Sequence, residues 1–251
     1  MQISGNTILI TGGGSGIGQA LAEKFHAAGN QVIIAGRNAA NLDAVTAANP
    51  GMASMTFDVG DAASITAFAA QLVAAYPAVN VIINNAGIMQ IEDILQAPAN
   101  LATTEATVAT NLLGPIRLTS ALLPHLLKQP AATVMMVTSG LAFVPMVATP
   151  TYSATKSAIH AYAMALREQL KGTSTEVVEI IPPYVQTSLT GDHQANDPAA
   201  MPLTDFIDEV MAILASDAKV REVIVERCKP LRFAAQQGNF DQIFATLNAP
   251  R

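Results

Sequence analysis

Tryptophan is absent from the 251-residue chain, cysteine occurs once, aromatic residues make up 5% and charged residues only 13%. With Cys228 as the single cysteine no intrachain disulfide can form, and no Cys pair or closely spaced His pair offers a metal site. The thiol reads as an ordinary free one, and no metal is expected. Lys and Arg number 13 against 19 Asp and Glu, a formal charge of −6. No basic stripe is available to neutralise phosphates, so nucleic acid is not an expected partner. Gly, Pro, Ser, Thr or Asn interrupts every apolar run before the roughly 18 residues that a membrane-spanning helix needs. The N-terminus, Met1 to Asn6 before a short apolar run, lacks the basic start and long apolar stretch of a secretory signal. A cytoplasmic protein without membrane insertion is the expectation.

What the chain does have is a 51% apolar composition, built mainly from Ala and aliphatic residues, enough for one large core and too little for two ordinary domains. A single domain over 1–251 follows. Short apolar, β-branched runs at Thr7–Ile10, Gln31–Ala35, Ser54–Phe57, Asn80–Ile83, Thr133–Val137 and Glu176–Ile181 read as strands. Ala-rich segments of helical length alternate with them, at roughly 17–28, 39–48, 62–75, 100–128 and 151–172. Strand–helix alternation predicts a parallel sheet with helices on both faces, and strands that are apolar throughout are what a sheet covered on both sides needs. The fold class is therefore α/β, a doubly wound parallel sheet of the Rossmann type with about seven strands. After Pro182-Pro183 the regularity stops until about Pro202; a helix at Thr204–Ala215, an apolar run at Val223–Val225 and a helical segment at Asp241–Leu247 complete the chain.

In such sheets ligands bind beyond the carboxyl ends of the strands, which makes the residues just after each run informative. The first run is followed by Thr11-Gly12-Gly13-Gly14-Ser15-Gly16-Ile17-Gly18, opening a helix. Glycines there permit a tight turn and let backbone amides and the helix N-terminus approach a pyrophosphate. A turn that merely joins strand to helix would look the same. No Gly-Lys-Ser/Thr ending follows, which argues against a nucleoside triphosphatase loop. The second strand ends in Gly36-Arg37-Asn38; an acidic residue there would grip the ribose hydroxyls of NAD, whereas Arg37 can pair with the 2′-phosphate of NADP. The same arginine argues against a methyltransferase, which would carry an acid at that place. Asp58-Val59 follow the third strand and Asn84-Asn85-Ala86-Gly87 the fourth, positions that turn and corner chemistry alone could also explain. Asn111 interrupts an Ala- and Leu-rich helix, and the fifth strand ends at Ser139. Thirteen residues on come Tyr152 and Lys156, four apart and hence on one helix face. An ammonium beside a phenol stabilises the phenolate and draws its pKa toward neutrality, so Tyr152 could exchange a proton with a carbonyl or alcohol. His26, His125 and His160 lie in helical segments and read as ordinary surface or packed residues.

The ordered set from residue 5 to about 190 resembles the short-chain dehydrogenase/reductase family, in its branch of about 250 residues. The resemblance implies that Gly12, Ser15, Gly16, Ile17 and Gly18 form the cofactor turn, that Asp58 and Val59 lie on the adenine side, and that Asn85, Ala86 and Gly87 complete the cradle. It implies a catalytic set of Asn111, Ser139, Tyr152 and Lys156. In it Tyr152 is the general acid or base, Lys156 lowers its pKa and holds the nicotinamide ribose, Ser139 hydrogen-bonds the substrate oxygen and Asn111 holds a water linking Lys156 to solvent. One departure stands out. Where the family usually has Pro-Gly, this chain has Pro182-Pro183, and the second proline removes a donor and fixes φ. Val185 and Thr187 still match the residues that, with Pro182, meet the carboxamide. The Pro-Pro variant resembles the DltE-like subgroup.

The resulting expectation is a hydride-transferring oxidoreductase that prefers NADP(H) over NAD(H) and interconverts a small-molecule carbonyl and alcohol. Its substrate pocket would be walled by residues after Ser139 (Leu141, Phe143, Val144 and Met146), by Tyr184 and by a lid within 182–203. The family resemblance implies a homodimer or homotetramer. A rival reading from another class is an NADP(H)-binding redox sensor without turnover.

Overall fold

Every apolar run forms a strand with boundaries within one residue of those expected, in a computed structural model that describes residues 1–96, 98–99 and 101–249. The strands are β1 (Thr7–Thr11), β2 (Gln31–Gly36), β3 (Ala53–Thr56), β4 (Val79–Asn84), β5 (Ala132–Val137), β6 (Thr175–Ile181) and β7 (Glu222–Ile224). They pair in parallel in the order β3-β2-β1-β4-β5-β6-β7. This is the doubly wound Rossmann arrangement, and the order reverses between β1 and β4, where a crevice opens above the strand ends.

Successive strand residues point to opposite faces and so divide between two cores. Ile8, Ile10, Val32, Ile34, Met135 and Val178 share one face with Leu21 and Phe25 of α1 (Gly16–Ala27) and with Phe206 and Val210 of α8 (Leu203–Ser216). Leu9, Ile33, Val134, Met136 and Val177 share the other with α3 (Ala62–Ala75), α5 (Gly114–Leu126) and α6 (Pro150–Gln169). The remaining helices are α2 (Ala39–Ala48), α4 (Leu101–Val108), α7 (Asp192–Ala195), α9 (Lys229–Phe233) and α10 (Phe240–Leu247). No described helix is long and apolar enough to cross a membrane.

One expectation requires correction. The stretch expected as one helix over 100–128 is α4 and α5 joined by a π-turn, Ala109–Leu113. Pro115 has no N–H to return to the Asn111 carbonyl, so the ordinary four-residue ladder cannot run through this point. Gly114 also approaches Val59 closely: a Cβ there would lie 2.6 Å from the Val59 carbonyl oxygen. Within 182–203 the chain pairs with itself at one point. Val185 and Met201 form a parallel bridge, with Gln186 N–H donating to the Met201 carbonyl at 2.8 Å and Met201 N–H to that of Tyr184 at 2.8 Å.

Candidate active site

The site grows from a corner held by one hydroxyl. Thr11, at the end of β1, is 1% exposed, and its Oγ1 accepts the Asn85 and Ala86 backbone N–H groups, each at 3.0 Å. The Asn85 side chain donates back to the Thr11 carbonyl at 2.9 Å. The ends of β1 and β4 are thereby locked across the point where the strand order reverses. Gly12 takes φ +68° there, and a Cβ on it would meet Ala86 Cα and Asn85 Nδ2 at 2.9 Å. Helix α1 then starts with Ser15 making no side-chain cap and with no acidic residue in its first turn. The partial positive charge of a twelve-residue helix is thus left facing the crevice, as an anionic ligand requires.

A cleft of about 380 Å³ follows from these corners. It gathers Gly12, Ser15, Gly16, Ile17, Arg37, Val59, Asn85, Ala86, Gly87, Ser139, Tyr152, Lys156, Pro182, Val185 and Thr187, all singled out in the sequence. Three expected residues stand outside the lining. Gly18 acts through space it leaves open, because a Cβ there would fall 2.3 Å from the Gly12 carbonyl oxygen. Asp58 turns its carboxylate on its own loop, accepting Gly60 N–H at 2.8 Å. Asn111, carried on the π-turn, clamps the Ile88 backbone: Oδ1 accepts its N–H at 2.9 Å and Nδ2 donates to its carbonyl at 2.8 Å. The apolar walls expected after Ser139 are also displaced. Leu141, Phe143, Val144 and Met146 do not line the cleft; Val144 is fully buried and Phe143 packs on His160. Tyr184 points away and donates to Asp197 at 3.1 Å. Apolar lining that the sequence did not single out includes Phe57, Ile88 and Leu189.

Helix α6 carries Tyr152 and Lys156, both nearly buried. Its start is held by a residue that drew no attention in the sequence. The Glu92 carboxylate accepts Thr151 N–H at 3.1 Å, the Thr151 hydroxyl at 2.7 Å and the Thr104 hydroxyl at 3.0 Å, placing negative charge at the N-terminal turn just before Tyr152. The Tyr152 phenol lies beside Ser139, whose hydroxyl acts to lower its pKa, and Lys156 donates from Nζ to the Val137 carbonyl at 2.8 Å. Burial pushes the Tyr152 phenol up to about 12 despite Ser139, and burial pushes Lys156 down to about 8. The expected fall of the phenol toward neutrality is therefore not what this environment produces. Lys156 Nζ lies 5.5 Å from the Tyr152 ring centroid, and desolvation outweighs its charge. Gln194 was also missed. Its amide, 5% exposed, donates to the Val185 carbonyl at 2.9 Å and Thr187 Oγ1 at 3.1 Å, while its Oε1 accepts from Thr190. A lone Gln in an irregular stretch carries no pattern that would reveal it.

Comparison with known proteins agrees with this geometry. Residues 6–198 match the model of the short chain dehydrogenase family. The chain is a short-chain dehydrogenase/reductase. A Bacillus subtilis (strain 168) protein called an uncharacterized oxidoreductase, DltE, is 36% identical to this short-chain dehydrogenase/reductase over 251 residues, covering 99% of this chain and 98% of its own. Dehydrogenase/reductase SDR family member 7B of Bos taurus is 32% identical over 73% of this chain and 59% of its own length. A Burkholderia cenocepacia short chain dehydrogenase in complex with NADP superposes with a TM-score of 0.82, 22% identity and full coverage of both chains. A Burkholderia phymatum short chain dehydrogenase/reductase in complex with NAD gives 0.80, at 20% identity and 96% coverage of each. The family, its DltE-like branch of about 250 residues and its oxidoreductase class are thus established for this chain.

Proposed function

We propose that this short-chain dehydrogenase/reductase reduces a small-molecule carbonyl with NADPH, or runs the reverse oxidation, with Tyr152 as the proton-transferring group. The observation that carries this reading is the contact of Ser139 with Tyr152 at one end of a cleft whose other end is the glycine-lined, uncapped start of α1. The missing Cβ atoms at Gly12 and Gly18 and the free helix N-terminus fit a dinucleotide pyrophosphate. A nicotinamide dinucleotide held there supplies or accepts the hydride.

The chain's own residues do the rest. Arg37, exposed at the rim beyond β2 with no carboxylate beside it in sequence, favours a 2′-phosphate and hence NADP(H) over NAD(H). Asp58, on the same side, fixes the loop that presents Val59. Pro182, Val185 and Thr187 border the nicotinamide end, and Lys156 reaches the ribose. Tyr152, its pKa raised by burial, holds its proton at neutral pH and gives it to the substrate oxygen. Ser139 donates a hydrogen bond to the same oxygen as charge develops on it. Asn111 holds the Ile88 backbone and, through a water, connects Lys156 to solvent so that Tyr152 can be reprotonated. The 182–203 segment, pinned by Gln194, closes over the cleft as a lid.

The test titrates NADPH and NADH by fluorescence, then follows cofactor oxidation across a panel of ketones and aldehydes. Arg37→Ala should weaken NADPH at least tenfold more than NADH, and equal losses would remove the basis of the cofactor choice. Tyr152→Phe should bind NADPH within about threefold of wild type and lose turnover. NADPH binding with no wild-type turnover on any member would favour the redox-sensor alternative.

A further inference from the structure

β6 reads Thr-Glu-Val-Val-Glu-Ile-Ile, and its Glu179 is fully buried in the middle of the sheet. Taking a carboxylate out of water is costly, and an apolar residue would serve a purely structural strand better. Its partners indicate what is gained. Glu179 Oε1 accepts the Thr138 hydroxyl at 2.8 Å, and both carboxylate oxygens lie 2.9–3.0 Å from His160 Nδ1, which must donate because a carboxylate only accepts.

Thr138 is the residue before Ser139, and His160 lies one helical step of four beyond Lys156. Tyr152, Lys156 and His160 therefore form one stripe along α6, facing the consecutive residues Val137, Thr138 and Ser139 at the end of β5. Three polar rungs join them. Ser139 lies beside the Tyr152 phenol, the Val137 carbonyl accepts Lys156, and Thr138 reaches His160 through the Glu179 carboxylate. The third rung continues outward. The His160 ring meets Phe143 edge-on at 4.7 Å, and the Arg232 guanidinium lies 4.6 Å from the Phe143 ring centroid. Arg232 in turn forks Glu222 at 2.8 and 2.9 Å, and Glu222 is the β7 register partner of Glu179. His160, Glu179 and Glu222 do bring ligand atoms within 4.8 Å of one another. The Arg232 fork on Glu222 supplies the positive charge that a metal ion would otherwise bring.

We propose that Thr138, Glu179 and His160 are positioning residues that set the register of α6 against β5, and so the placement of Tyr152 and Lys156 relative to Ser139. The proposal rests on the reductase reading for its rate consequences and on geometry alone for its structural ones. The decisive variant is Glu179→Leu/His160→Leu, which removes both polar partners together and leaves no buried orphan charge. Its melting temperature should stay within a few degrees of wild type, and NADPH affinity within about threefold. kcat for the best ketone of the panel should fall at least tenfold with KM little changed. A crystal structure should show the Val137–Lys156 contact opened from 2.8 Å to beyond hydrogen-bond range. His160→Asn, whose amide nitrogen takes the place of Nδ1, should recover most of the rate, whereas His160→Gln should not. A Val137–Lys156 contact intact in the double variant would overturn the proposal, as would kcat within twofold of wild type. If wild-type protein turns over nothing, the reductase reading fails by itself, and the crystallographic distances still decide this one.

Discussion

Replacing Thr11 by Val tests how far one hydroxyl organises the crevice. The two side chains have the same shape, so no cavity opens, but the backbone N–H groups of Asn85 and Ala86 lose their shared acceptor at 3.0 Å. An orphaned buried donor costs about 1–3 kcal/mol, and with some access of water to this corner two of them should cost roughly 2–4 kcal/mol. At roughly 2–4 °C per kcal/mol for a chain of this size, the melting temperature should fall by about 4–16 °C. Because Asn85 and Ala86 also line the cleft, the NADPH dissociation constant should rise about tenfold, given that a shift of 1.4 kcal/mol is a factor of ten. Thermal unfolding followed by circular dichroism, with a fluorescence titration of NADPH on the same samples, reads both quantities. A melting temperature within about 2 °C of wild type together with unchanged affinity would refute the reasoning, because it would mean that the corner is held by the Asn85 side chain alone.

Gly18→Ala places a carbon 2.3 Å from the Gly12 carbonyl oxygen and 2.4 Å from Asn85 Nδ2; the turn must shift, and NADPH binding should be lost in the same titration while far-UV circular dichroism still reports the sheet. Lys156, at about 8 against its ordinary 10.5, gives up its proton earlier in the folded chain than in the unfolded one, so the cost of its buried charge is fully present below pH 8 and relieved as pH rises toward 10.5. Urea unfolding at pH 7 and pH 9.5 should show wild type gaining about 2 kcal/mol on Lys156→Met, and a constant difference would contradict a buried, depressed ammonium. Cys228, fully buried and with its thiol pushed up to about 12 by burial, should resist a thiol reagent in native buffer and react fully in denaturant; rapid native labelling would show that α9 opens.

The strands were legible because burial on both faces writes itself as uninterrupted β-branched runs, and the glycines of the first turn because it packs so closely on Ile34, Asn85 and Ala86 that a Cβ has no room. The α4–α5 junction was not, since an Ala- and Leu-rich stretch reads as one helix until Pro115 is recognised as removing a bond from the ladder. Pocket walls were misjudged for a related reason. Val144 and Phe143 are apolar because they pack inward, and sequence adjacency to Ser139 says nothing about which way they turn. Glu179 and Glu92 escaped notice because each acts through partners far away in the chain, and Gln194 because a single polar residue has no period. His160 looked ordinary for the same reason, and only the sheet brings it to Glu179.

The strand order also bears on how the chain can be assembled during synthesis. Counting outward from β1, β2 and then β3 join one side, and β4, β5, β6 and β7 follow in turn on the other. Each strand arrives at an edge that is still open, and none has to be inserted between two that are already paired. A nascent chain emerging from its N-terminus can therefore extend the sheet in the order in which it is made. The cleft needs β5, β6 and the segment after them, so a ribosome-held fragment ending before β5 could form the glycine turn and its Thr11 corner well before Ser139, Tyr152 and Lys156 exist as a group.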